Sequence, residues 1–246
     1  MAGMMQETRR AGTDGALLCI ADVPVPIDER WFDADAWRAR GALHEEIGGR
    51  GRIAMLDTPL GPCVWRHYRR GGRIAVLLGD RYLWTGEART RSFAEFRLLL
   101  ALARRDLPAP RPVAARYRRV GACFYDADLI TRRIENARTL AECLAAGAFD
   151  TELARAVGAL VARFHRAGVE HADLNAHNVL VTPGQLYLID FDRGRLRKPA
   201  RRWRMANLRR LHRSLRKLGA GADDPDRFER TLWTVLLEAY ARTFAG

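Results

Sequence analysis

One stretch restricts the architecture of this chain more than any other. His171-Ala172-Asp173-Leu174-Asn175-Ala176-His177-Asn178 is followed, after an apolar run and a turn, by Ile189-Asp190-Phe191-Asp192. Upstream, Asp150 can cap a helix whose apolar residues Leu153, Val157, Leu160, Val161 and Phe164 recur at helical spacing, and Gly168 can end it. Downstream, Val179-Leu180-Val181 and Leu186-Tyr187-Leu188-Ile189 are short apolar β-type runs around Thr182-Pro183-Gly184-Gln185, the signal of a hairpin. The sequence therefore predicts a helix, a loop, a hairpin and then a carboxylate, Asp190, where the second strand gives out.

That order sets out oxygen atoms in a way that suits phosphoryl transfer. The reaction needs one carboxylate beside the attacking hydroxyl and oxygen ligands for Mg²⁺ on ATP, and magnesium favours carboxylate, amide oxygen, water and phosphate over nitrogen or sulfur. Asp173 fits the first role, and Asn178 and Asp190 fit the second. Read as ordinary turn carboxylates, Asp173 and Asp190 would leave the succession of elements unexplained.

A site of this kind also calls for a preceding β-rich lobe with a glycine turn over the phosphates, a cation on a strand and a glutamate on the next helix. Gly48-Gly49-Arg50-Gly51 leads into the strand-like run Arg52 to Leu56, and a turn at Pro59 to Pro62 leads into Cys63-Val64-Trp65-Arg66-His67-Tyr68. Glycines between strands let backbone N–H groups approach phosphate. The chain has only two lysines, Lys198 and Lys217, both beyond the motif, so the cation has to be an arginine. Arg66 is the positional choice, with Arg69 or Arg70 as alternatives. Arginine offers a permanently charged, two-pronged phosphate clamp. Ser92 to Leu100 predicts a helix with Phe93, Phe96, Leu99 and Leu100 as its core stripe, and Glu95, its only acidic residue, is the expected partner of Arg66. Strands are expected over Val113 to Tyr117 and Cys123 to Thr131, with a hinge near Thr131 to Glu135.

Taken together, the Gly48 to Gly51 turn, Trp65 to Gly72, Tyr82-Leu83-Trp84-Thr85-Gly86, the Glu95 helix, His171 to Asn178 and Ile189 to Gly194 resemble the 3-deoxy-D-manno-octulosonic acid (Kdo) kinases of Gram-negative bacteria, which belong to the lipopolysaccharide core kinases. The resemblance implies an α+β, two-lobed protein-kinase-like fold with a small β-rich N-lobe and a larger, mostly helical C-lobe. It also implies ATP-dependent phosphorylation of the 4-hydroxyl of a Kdo residue in Kdo-lipid A at the cytoplasmic face of the inner membrane, with Mg²⁺. The expected organisation is a single catalytic domain over residues 1–246, about 30–134 as N-lobe and 135–246 as C-lobe. Asp173 would orient the hydroxyl, Asn178 and Asp190 would hold the metal, and Gly48, Gly49, Gly51, Arg66 and Glu95 would serve the nucleotide. A heptose or other small-molecule kinase, or an inactive kinase fold acting as a membrane scaffold, are the competing readings. Retention of Asp173, Asn178 and Asp190 argues against a scaffold, whereas the missing lysine argues for it.

Departures from protein kinases point away from a peptide acceptor. Ala172 stands where regulated kinases carry the arginine that reads a phosphorylated activation loop, Asp192 replaces a glycine, and no Ala-Pro-Glu follows. The formal charge is +13, and Arg193 to Lys217 contains no acidic residue among Arg195, Arg197, Lys198, Arg201, Arg202, Arg204, Arg209, Arg210, Arg213 and Arg216. Met205, Leu208, Leu211, Leu215 and Leu218 give that segment an apolar helical stripe, with Trp203 nearby. An anionic glycolipid and an anionic leaflet would both be attracted to it. Nucleic acid is not expected, since neither zinc spacing nor an RNA-binding strand signature accompanies the charge.

The other signals exclude functions. Cys19, Cys63, Cys123 and Cys143 have no metal spacing, which favours reduced thiols. Ala16 to Ile20 is too short for a signal core and no run reaches membrane-spanning length. His165 and His177 are expected to be structural, and Asp226 to Phe244 a packing helix. The first ~30 residues offer little beyond the turn-prone Pro24 and Pro26.

Overall fold

The computed structural model describes residues 6–21, 23–48, 51–68 and 81–246. The chain divides into two compact units, Met1–Arg104 with Pro110–Arg133, and Arg105–Ala109 with Ile134–Gly246.

The first unit is built on an antiparallel sheet. Its strands are β1 (Glu7–Ala11), β2 (Gly15–Ile20), β3 (Leu43–Gly48), β4 (Gly51–Thr58), β5 (Gly61–His67), β6 (Tyr82–Leu83), β7 (Pro112–Val120) and β8 (Phe124–Arg132). Their spatial order is β1-β2-β7-β8-β5-β4-β3, with β6 also pairing β8. Successive side chains of a strand face opposite ways, and β5 uses both faces. Cys63 and Trp65 join a core made by Leu17, Ile27, Trp31, Phe32, Trp37, Leu56, Val113 and Ile130. On that same face the buried Asp128 carboxylate accepts hydrogen bonds from the Trp65 indole (3.1 Å) and the Arg116 guanidinium (2.8 Å) and lies 2.9 Å from His67 Nδ1. Arg66 points to the opposite face, where helix α2 lies.

Helix α1 is Ala34–Ala39 and α2 is Arg91–Ala103. The predicted stripe of α2 is buried as expected, with Phe93, Phe96, Leu99 and Leu100 inside. The N-terminal residues carry more structure than their sequence suggested. Ala16-Leu17-Leu18-Cys19-Ile20 is a central strand paired with both β1 and β7. An uninterrupted apolar run without alternation is what a strand covered on both faces looks like. Residues 27–37 then pack on the sheet through Ile27, Trp31, Phe32 and Trp37.

The second unit is mostly helical. Its helices are α3 (Leu140–Ala145), α4 (Thr151–Arg166), α5 (Arg201–Lys217) and α6 (Thr234–Ala245), the last preceded by a π-helical turn, Phe228–Trp233. Short strands complete it: β9 (Arg138–Thr139), β10 (Val169–Glu170), β11 (Val179–Val181), β12 (Leu186–Leu188) and β13 (Arg195–Leu196). Asp150 caps α4 by accepting from the Leu153 N–H at 2.8 Å. Val157, Leu160, Val161 and Phe164 are buried. Gly158 lets α6 approach closely, since a Cβ there would sit 2.1 Å from the Leu236 carbonyl oxygen. Gly168, at φ +76°, ends α4 in the left-handed region that glycine adopts without strain. β11 and β12 form the predicted hairpin, paired from Val179↔Leu188 to Val181↔Leu186.

Helix α5 departs from its expected stripe in two respects. Leu208, Leu211 and Leu215 are buried, but Leu218 lies just past the helix and is exposed, and the row Trp203, Asn207, Leu211, Leu215 includes an amide. Trp203 is itself buried, its indole N–H bonded to the Lys198 carbonyl, so its ring is not offered to a stacking ligand. Among the described residues no helix is long and apolar enough to cross a membrane. Cys19, Cys63 and Cys143 are buried free thiols and Cys123 is an exposed one.

Candidate active site

In the second unit, the chain from β10 to β11 forms a loop pinned by its apolar residues and by a histidine. Leu174 and Ala176 are fully buried, while Asp173 between β10 and Leu174 is exposed. His171 is buried and neutral, because burial pushes its pKa down. Its Nε2–H donates to the Ile189 carbonyl at 2.9 Å, and its Nδ1 accepts from the Asp173 N–H at 3.1 Å. One imidazole thus ties the backbone of Asp173 to the residue preceding Asp190. A second tie runs from Ile189 N–H to the Asn178 carbonyl at 3.0 Å. Asp173, Asn178 and Asp190 are brought together by these bonds.

Asp190 is half-buried and adopts φ +61°, a conformation that side chains other than glycine pay for unless their surroundings impose it. The residues on either side are fixed: Ile189 is bonded through both its N–H and its carbonyl, and the Phe191 ring is fully buried, stacked on Phe164 at 5.6 Å and against His171 at 4.9 Å. The chain then reverses at once through a Gly194 N–H to Phe191 carbonyl bond of 2.8 Å, and Arg195–Leu196 pairs with β10. Little chain remains between Asp190 and α5 for an activation segment.

Asn178 donates its amide N–H to the Asp173 carbonyl at 2.9 Å, which leaves the amide oxygen as its group for a cation. No cluster of three or more His, Cys, Asp or Glu side chains able to hold a metal exists among the described residues. One amide oxygen with one carboxylate is a poor site for a metal alone but suits Mg²⁺, which keeps its waters and takes further ligands from substrate phosphates. The donor set of Asn178 and Asp190 fits that ion.

A chain of donors behind the loop was not anticipated. Arg204 N–H donates to the Tyr240 oxygen (2.9 Å), whose O–H faces His165 Nδ1 (3.0 Å); His165 Nε2 faces Asn207 Oδ1 (3.3 Å). Asn207 closes the chain on the loop, accepting from His171 N–H at 3.2 Å and donating to the His171 carbonyl at 2.8 Å. Burial holds the His165 pKa down to about 4, so this histidine too is neutral and presents one donor and one acceptor. The Ala176 N–H is bonded to Ser214 Oγ at 3.1 Å, so α5 grips the loop at two points one to two turns apart. The signal for Asn207 was present in the sequence as an amide within an apolar row of a helix, where only a bonding role makes burial affordable.

In the first unit, the Arg66 guanidinium is ion-paired with Glu95. Tyr68, on the same face of the chain, donates its O–H to the same Glu95 oxygen at 2.5 Å, accepts from Arg66 at 3.1 Å, and lies under the Arg66 guanidinium. Glu95 and Tyr68 are buried, whereas about a quarter of the Arg66 side chain is exposed. Burial and the adjoining Glu95 push the Tyr68 pKa well up, so the phenol stays protonated and remains a donor. Gly48 and Gly51 face each other as the last pair of the β3–β4 hairpin. Gly49, and the alternative cations Arg69 and Arg70, lie outside the described residues.

Known proteins resemble this chain over most of its length. A sequence model described as "Lipopolysaccharide kinase (Kdo/WaaP) family" matches residues 34–240. A protein of Xanthomonas axonopodis pv. citri (strain 306) named 3-deoxy-D-manno-octulosonic acid kinase is 51% identical over 205 residues, covering 83% of this chain and 81% of that one. A protein of the same name from Xylella fastidiosa (strain M12) is 48% identical over 184 residues, covering 74% and 73%. The solved structure of WaaP in complex with acyl carrier protein superposes with a TM-score of 0.53 at 19% identity, covering 87% of this chain and 86% of that chain, which is a likeness of fold. With both the α+β, protein-kinase-like architecture and the sequence in agreement over so much of its length, the chain belongs to the lipopolysaccharide kinase (Kdo/WaaP) family.

Proposed function

We propose that this chain is a Kdo kinase of lipopolysaccharide core biosynthesis, transferring the γ-phosphoryl group of ATP to the 4-hydroxyl of a Kdo residue in Kdo-lipid A. Kinase activity on Kdo rests on family membership and on relatives of that name at about half identity. The observation that carries the assignment of roles is the histidine-pinned loop that groups Asp173, Asn178 and Asp190. Asp173, exposed at the tip of a buried loop, orients the acceptor hydroxyl and receives its proton as the new oxygen–phosphorus bond forms and the bond to the ADP oxygen breaks. Asn178 and Asp190 are the residues that would hold Mg²⁺, which neutralises phosphate charge when bound. Arg66, oriented by Glu95 and Tyr68, contacts ATP phosphates in place of a lysine, and Gly48, Gly49 and Gly51 are the glycines that would serve the same phosphates.

The two units act as one catalytic domain in this reading. Arg201, Arg202, Arg209, Arg210, Arg213 and Lys217 are exposed on α5, a surface suited to the phosphates and carboxylates of Kdo-lipid A and to an anionic leaflet. The enzyme would work as a peripheral protein on the cytoplasmic face of the inner membrane. Purified protein given ATP, Mg²⁺ and, in parallel, Kdo-lipid A, heptosylated lipid A and an aminoglycoside provides the test, with products read by mass spectrometry. One added phosphate on the Kdo acceptor alone is expected. Phosphate on heptose, or none on any acceptor, overturns the reading.

A further inference from the structure

Asn207 and Ser214 fix α5 to the catalytic loop, and Arg210 lies between them on the same helical face. Its guanidinium reaches Asp173 Oδ1 at 3.4 Å, while the other carboxylate oxygen of Asp173 accepts from the Asn175 amide at 3.1 Å. The loop is already held by its neighbours, so the Arg210 contact is not what holds it. The pair is long and solvated, with side chains 44% and 63% exposed, and exposed pairs of this kind contribute little and exchange partners easily. A permanent cation with a two-pronged donor face therefore stands beside the carboxylate that receives the acceptor hydroxyl.

We propose that Arg210 is a specificity-determining residue that binds the carboxylate of the acceptor sugar. The inference rests on the assignment of Kdo as acceptor: an octulosonic acid carries a carboxylate and hydroxyls on one small ring. Asp173 takes the hydroxyl and Arg210 takes the acid group, a two-point recognition that a neutral sugar cannot complete. The Asp173–Arg210 pair is then the resting state, and the acceptor carboxylate replaces Asp173 as the partner of the guanidinium. A charge-assisted arginine–carboxylate contact has the geometry and the strength for such selection.

The test is a cycle of four kcat/KM values: wild type and Arg210→Gln, each with Kdo-lipid A and with the same acceptor after reduction of its carboxyl to an alcohol. Removing either partner is expected to lower kcat/KM by about tenfold or more, chiefly through acceptor KM, and removing both should cost no more than removing one. ATP KM should stay within about twofold, and Arg210→Lys should recover part of the loss. Equal losses for Arg210→Gln on both acceptors, or no loss on either, overturn the inference. Absence of wild-type turnover on Kdo-lipid A overturns the acceptor assignment itself, an outcome distinct from the other two. Arg210 is exposed, so the variant should melt like the wild type.

Discussion

The two units hold their candidate functional groups by opposite means. In the first unit a buried carboxylate, Glu95, is balanced by the Arg66 cation and a tyrosine hydroxyl, a charge matched by a charge. In the second unit the groups next to the loop are neutral dipoles, two histidines kept uncharged by burial, an amide and a phenol, with the Arg204 cation at the far end of the chain of bonds and the carboxylates Asp173 and Asp190 toward the surface. The difference suits the role proposed for each. In the proposed role of the first, an arginine that serves phosphate is charged already and has only to be aimed, which a buried carboxylate achieves. In the proposed role of the second, a loop that presents carboxylates to substrate has to be rigid, which the hydrogen bonds of His171 and Asn207 achieve.

Several substitutions break this contrast, in decreasing order of expected effect. Asp173→Ala removes the group that the neutral network presents and should lower kcat by about 10²–10⁴-fold. Because Asp173 is exposed, its melting temperature should stay near that of the wild type; full activity in a phosphate-transfer assay would remove Asp173 from its role. Arg66→Ala takes from the buried Glu95 the cation paired with it, a loss of about 3–5 kcal/mol in denaturant unfolding together with a raised KM for ATP. Adding Glu95→Gln to it should restore part of that stability but not the ATP affinity. If the double variant is as unstable as Arg66→Ala, the charge argument is wrong.

The buried histidines of the second unit should make its stability respond to pH. His165 has a folded pKa of about 4 against an ordinary 6.5. The unfolded chain therefore binds more protons between these values, so stability is fully present above about pH 6.5 and falls as pH drops toward 4. The loss from this group approaches about 3 kcal/mol. His171, also depressed by burial, adds a loss of the same sign below the ordinary histidine range. Urea unfolding across that interval should show the slope, and His165→Gln should flatten it. Asn207→Ala leaves the His171 N–H and carbonyl without partners and should cost about 2 kcal/mol, with a fall in kcat at nearly unchanged ATP KM. A loss of stability with no change in kcat would reduce Asn207 to a packing residue. Smallest of all, Asp150→Ala removes one helix cap and should cost about 1 kcal/mol with activity intact.

Much of this arrangement was legible in local pattern. The α4 helix, the β11–β12 hairpin and the position of Asp190 after it follow from helical spacing, a Thr-Pro-Gly-Gln turn and short apolar runs, because each is decided by neighbours in the chain. The pairing of Arg66 with Glu95 was expected from the lack of lysine and the scarcity of acid in one helix, and the two side chains do meet. Tyr68 was passed over as part of the strand, since its hydroxyl matters only once α2 lies over that face. The N-terminal strands were also missed: the apolar run of β2 has no alternation, and only its covering by residues 27–37 on one face explains why it needs none.

By itself the sequence determined the chemistry on offer: which residues can be acid, base, cation or metal ligand, and in which local elements they lie. Tertiary structure alone decided how those groups are held. Asn207 and His165 are far from the loop in sequence, and no spacing rule connects them to His171; packing of α4, α5 and α6 does. Arg210 is one of many arginines on a basic helix until the grip of Asn207 and Ser214 sets the helix in register and puts that one beside Asp173. Hydrogen bonds between distant segments depend on distance and direction in space, and those are set by burial of the apolar faces rather than by the order of residues along the chain.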